Sequence, residues 1–148
     1  MEIPREEKSH FALFVLLMIF QREEYLLTMA DVSKVQLRAK LVVLSCCHSG
    51  RGEIKVEGVI GIARAFLGSG ARSVLVAQWA LDDESTEQFM NHFYEHLFGV
   101  ESASESLHEV RKWMRDNGFP EEKKWAPFMQ IGDNVTLRKE DIICKVQN

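Results

Sequence analysis

Cysteine is scarce in this 148-residue chain: there are three, and two of them, Cys46 and Cys47, are adjacent. Such a set cannot build a disulfide framework, which points to a reducing compartment, and a cytoplasmic setting is the expectation. Proline is equally rare at three residues and glycine stands at nine. Collagen-like, low-complexity and disordered chains are thereby excluded. Basic charge is not in surplus either, since 18 Lys and Arg against 22 Asp and Glu leave a net charge of -4. A nucleic-acid surface gathers Lys and Arg on one face, so no nucleic acid is expected as a partner. Long apolar runs are missing too. Phe11 to Phe20, FALFVLLMIF, holds ten apolar residues, against the ~20 that a membrane-crossing helix needs, so no membrane partner is expected. Glu2, Glu6 and Glu7 precede that run alongside Arg5 and Lys8, which is not the basic start of a signal peptide.

What remains is an ordinary globular composition, with 46% hydrophobic and 27% charged residues. A chain of this length forms one domain and buries roughly 70% of its unfolded surface. Phe11 to Phe20 reads as a buried strand or a buried helical turn. Thr28 to Asp31 fits a capping box opening a short helix, and Leu41 to Ser45 is an apolar run expected to be a buried strand. After the loop Cys46–Gly52, residues Val59, Ile60, Ala63, Phe66 and Leu67 recur at helical spacing until Gly68 and Gly70 stop them. Ser73 to Ala77 is a second β-branched run, placed to lie parallel to the first. Asp82 and Asp83 can cap the next helix, whose apolar face is Phe89, Met90, Phe93, Tyr94 and Leu97 and which Gly99 ends. Ser102 to Glu105 is another capping box, opening a helix that carries Leu107, Val110, Trp113 and Met114 and stops at Asn117-Gly118. Trp125 to Gly132 looks like a last strand. The fold class is α/β, a layered domain, and Arg138 to Asn148 is an edge strand or a loose tail.

In open parallel sheets ligands bind at the carboxyl ends of the strands, which here means the loops Cys46–Gly52 and Trp79–Asp83. Cys46 and Cys47 point opposite ways if the strand stays extended, so one of them is a candidate nucleophile and the other a core residue. Arg51, His48 and the following helix start all favour a thiolate, and an inert buried thiol is the alternative. A phosphate-cradling cysteine loop does not fit, because Arg51 stands four residues after Cys47 and five after Cys46. Lys55 occupies the place of the third glycine of a dinucleotide fingerprint, and no Gly-x-Ser-x-Gly elbow occurs. His92-Phe93-Tyr94-Glu95-His96 matches a zinc pattern by letters, but both histidines lie away from the apolar stripe, so a solvated helix face is expected and no metal. Asp82 and Asp83 could accept a basic side chain or serve only as helix caps.

The string LVVLSCCHSGRGEIKVEGVIGIARAFLGSGARSVLVAQWALDDE, followed by WAPF and IGD, strongly resembles the CHAT domain, a caspase-like module usually attached to tetratricopeptide repeats. The resemblance runs from about Tyr25 to Leu137. It implies a caspase-like layered sandwich, a mostly parallel sheet flanked by helices and incomplete here. It divides the chain into a divergent apolar opening over 1–24, a partial CHAT domain over 25–137 and a tail over 138–148. By the same resemblance Cys47 takes the nucleophile position, Cys46 replaces the usual alanine, and Ser49 stands for the threonine before Gly50. No cofactor is implied.

The family's chemistry is a Cys-His dyad whose base comes from a His-Gly motif after an upstream strand, and the base must lie within hydrogen-bond reach of the thiol. The only histidine upstream of Cys47 is His10, followed by Phe11 instead of glycine. The expectation is therefore a protease-like module without its base, acting in protein or peptide binding or scaffolding, in possible association with tetratricopeptide repeats. An active cysteine endopeptidase with a base from His10 or a partner chain is the alternative. A small thiol or redox protein is a third, against which the absence of Cys-x-x-Cys spacing counts.

Overall fold

A computed structural model of the chain describes residues 14–19, 29–34, 36–46, 56–79, 82–99, 101–138 and 141. Strand β1 is Phe14–Ile19, helix α1 Met29–Ser33, β2 Leu41–Cys46, α2 Val56–Gly68, β3 Ser73–Ala77, α3 Asp83–Phe98, α4 Ala103–Asp116 and β4 Phe128–Gly132. The four strands form one sheet in the order β1-β2-β3-β4. The first three run parallel, with Phe14 opposite Leu41, Ile19 opposite Cys46, and Leu44 opposite Val76. β4 closes the other side antiparallel to β3, from Ser73 opposite Gly132 to Ala77 opposite Phe128. The ten-residue apolar run thus yields a strand, and it occupies the edge of β2 opposite β3.

Side chains alternate across the strands and sort the core into two halves. Leu41, Val43, Leu75, Ala77 and Phe128 face Phe89, Phe93, Leu97, Leu107, Val110 and Met114 of α3 and α4. Val42, Leu44, Val74 and Val76 face Val32 of α1 and Val59, Ala63 and Phe66 of α2. The domain is a three-layer α/β sandwich, and coverage on both faces explains why β2 and β3 are apolar throughout instead of alternating. Phe89 and Phe128 stack with ring centroids 3.9 Å apart, joining α3 to β4.

The helix ends follow their chemistry. α2 stops in a turn where the Ala71 N–H bonds the Phe66 carbonyl and the Gly70 N–H the Leu67 carbonyl, the arrangement that needs a left-handed residue. Gly70 supplies it at φ +116°, and a Cβ there would meet the Leu37 carbonyl oxygen at 2.0 Å. α4 opens with the full reciprocal box: the Glu105 N–H donates to the Ser102 hydroxyl oxygen, and the Ser102 N–H donates to the Glu105 carboxylate. Thr28 and the residues after Asp141 lie outside the described residues, and with them the first capping box and most of the tail. Among the described residues no helix is long and apolar enough to cross a membrane.

Candidate functional site

Parallel pairing brings the carboxyl ends of β2 and β3 side by side, so the chain leaves the sheet at neighbouring points after Cys46 and after Ala77. The nucleophile candidate Cys47 is the next residue beyond β2. Cys47, His48, Ser49, Gly50, Arg51 and Gly52 all fall within 47–55, outside the described residues, as does His10.

The β3 side of the crevice is described in more detail. The Gln78 N–H donates to the Pro127 carbonyl at 2.9 Å, which carries the β3–β4 pairing one step past the strand. Trp79, 39% exposed, is fixed by its indole N–H on the Lys123 carbonyl at 3.0 Å. Lys123 belongs to a single 3-10 turn, Glu122–Lys124, that leads into β4. That turn forms part of the crevice wall and was not singled out from the sequence. Its only signal there was its position just before WAPF.

Asp82 caps α3. One carboxylate oxygen accepts the Ser85 N–H and the other the Ser85 hydroxyl, both at 2.8 Å. Those two hydrogen bonds, the backbone one foremost, hold the Asp82 carboxyl below its usual range, and the positive charge of Lys124 acts in the same direction. Ser85 is fully buried and was missed from the sequence, where a lone serine in the first turn carries no signal. Asp83 is the first residue of α3 and is exposed. The two aspartates therefore divide the work: Asp82 is committed to the helix, and Asp83 presents its carboxylate at the rim.

The remaining histidines with a described position are not at this crevice. α3 begins beside the carboxyl end of β3, and its 1.5 Å rise per residue carries His92 about 14 Å and His96 about 20 Å away. His108 is exposed on α4. The expectation that His92 and His96 lie on a solvated face needs correction. His92 is 24% exposed, stacks on Trp113 of α4 with centroids 3.6 Å apart, and pairs with Glu95 at 3.3 Å. His96 pairs with Glu101 at 3.2 Å across the α3–α4 connection. Each imidazole is thus turned to a different carboxylate, and among the described residues no three potential ligands converge on a metal position.

A family model described as the CHAT domain matches residues 5–133. Two curated relatives are both named tetratricopeptide repeat protein 28. The one from Homo sapiens is 39% identical over 116 residues, which is 78% of this chain and 5% of that protein. The one from Mus musculus is 38% identical over 115 residues, 77% of this chain and 5% of that protein. The chain therefore spans about 5% of the length of these relatives. No solved structure matches it significantly.

Proposed function

This chain belongs to the CHAT domain family, and from that premise we propose that it is a non-catalytic caspase-like module that binds or scaffolds protein or peptide. Its setting is that of a protein of the tetratricopeptide-repeat type in the cytoplasm. Cys47 keeps the nucleophile position without a base to activate it.

The observation that supports this most is the register of β1. Phe14 lies opposite Leu41 and the strands run parallel to Ile19 and Cys46, so the chain enters β1 at the end of the sheet remote from Cys47. Six residue steps separate Leu41 from Cys47, about 20 Å of extended strand. Four steps separate Phe14 from His10, a reach of at most about 14 Å. Only if residues 10–13 doubled back fully extended along β1 would the His10 side chain come within reach of Cys47. After Ile19 no histidine occurs until His48, which adjoins the cysteine itself. A general base must face the thiol within hydrogen-bond reach; His48 adjoins the cysteine and does not face it, and His10 starts from the far end of the sheet and meets that condition only through a full reversal of the chain. The crevice keeps what binding needs: the anchored Trp79 ring, and Asp83 with Asp82 behind it to attract a basic side chain.

The test is turnover of a fluorogenic peptide library containing Lys and Arg, with the 148-residue chain and its Cys47→Ala variant. The expected result is no cleavage by either, together with binding of basic peptides by both. Cleavage by the unaltered chain that disappears in Cys47→Ala would establish the endopeptidase alternative.

A further inference from the structure

Four methionine side chains are described, and they differ in what surrounds the sulfur. Met114 is fully buried, Met90 is 9% exposed, and the half-buried Met129 accepts a hydrogen bond on its Sδ from Gln78 Nε2 at 2.6 Å. Met29, the first residue of α1, is 52% exposed. Its thioether nevertheless makes a contact that seats α1 on α2. A Cβ on Gly61 of α2 would lie 2.8 Å from the Met29 Sδ and 3.7 Å from its Cε, so the sulfur rests where a glycine leaves room for it. Among the described residues the rest of the hold on α1 is slight. Val32 is its one buried side chain. The Val32 carbonyl accepts the Ser69 hydroxyl at 2.7 Å, and just beyond α1 the Leu37 N–H bonds the Ser69 carbonyl at 2.7 Å. A helix of little more than one turn has no stability of its own and stays in place only through such contacts.

We propose that Met29 is a methionine-oxidation site, and that its conversion to the sulfoxide by a peroxide unseats α1 from α2. A sulfur lone pair attacks one peroxide oxygen, the S–O bond forms as the O–O bond breaks, and the hydroxide released takes the proton of the new S–OH group and leaves as water. The sulfur is oxidised by two electrons and the peroxide is reduced by two. The step selects Met29 because its side chain stands half open to water while those of Met90 and Met114 are closed off. The product is a polar group, and against Gly61 its oxygen finds no donor. Gly61 lies inside α2, where helical bonding already uses the backbone N–H groups. An unpartnered polar group is disfavoured in an apolar contact, and the flexible methionine side chain relieves it by turning to water. α1 is then left with Val32 and the two bonds to Ser69. The reductases that act on the two sulfoxide epimers reverse the change.

The test treats the 148-residue chain with limiting hydrogen peroxide and follows it by peptide mass spectrometry and residue-resolved amide exchange. Met29 is expected to take up oxygen at least tenfold faster than Met90 or Met114. In the oxidised chain the Lys34 and Leu37 amides, bonded to the Asp31 and Ser69 carbonyls, are expected to exchange at least fivefold faster. The Ala71 amide, bonded to the Phe66 carbonyl at the far end of α2, keeps its rate, which separates release of α1 from general unfolding. Met29→Leu, which keeps the apolar volume and lacks the sulfur, is expected to show no change at Lys34 or Leu37 under the same peroxide. Met29→Gln, which puts a polar group there without oxidant, is expected to reproduce the faster exchange and supplies the readout if the leucine variant fails to fold. Oxidation of Met29 no faster than that of Met90 and Met114 overturns the proposal. So does a Met29 sulfoxide that leaves Lys34 and Leu37 exchange unchanged, or the same loosening by peroxide in Met29→Leu.

Discussion

Asp82 is where the fold and the candidate site meet in one side chain. Removing its cap by Asp82→Ala leaves the Ser85 N–H and hydroxyl of α3 without their acceptor and is expected to cost about 1 kcal/mol in a denaturant titration. Its carboxyl is held below the usual range by those bonds, so its contribution is present above about pH 3.9 and is lost as the pH falls through the lower, folded value. The difference in melting temperature between the chain and Asp82→Asn should therefore shrink between pH 5 and 2 as a titration of one group. Asp83→Asn should alter stability by less than about 0.5 kcal/mol yet weaken binding of a Lys- or Arg-containing peptide, because Asp83 is exposed at the rim. The Asp82 cap was legible at this scale, since an aspartate before an apolar periodic run has one common use. His92 was not: a helical wheel knows only its own helix, and the ring that covers His92 comes from Trp113 of α4.

At the scale of elements, the strong signals were continuous apolar runs and capping residues, and β2, β3, α3, α4 and β4 all stand within a few residues of where those signals put them. Phe11 to Phe20 was ambiguous because an unbroken apolar run has no period with which to separate strand from helix. Pairing with β2 decided it in favour of β1. The antiparallel sense of β4 had no sequence signal, as it depends on where α4 delivers the chain. Ser102→Ala removes one half of the reciprocal box on α4 and should lower stability by about 1 kcal/mol. Phe89→Ala, at a fully buried ring stacked on Phe128, should cost about 3–5 kcal/mol. Deleting residues 1–20 should open the β2 edge, so that the β2 amides bonded to β1 lose exchange protection while those bonded to β3 keep it.

For the molecule as a whole, β2 and β3 end side by side at one end of the sheet, and β1 enters from the other. That the chain leaves the sheet at neighbouring points after β2 and β3 was legible from two apolar runs a crossover apart. The wall supplied by residues 122–124 was not, since only the antiparallel return of β4 brings it beside Trp79. The central claim is that Cys47 has no histidine base. It is tested most directly by the pH dependence of Cys47 alkylation with iodoacetamide, read by mass spectrometry on the chain and on His10→Ala. The thiolate is the reacting species, so the profile reports whatever activates it. The account predicts superimposable profiles for the two proteins. A midpoint that rises by a unit or more in His10→Ala would show a working dyad and contradict it.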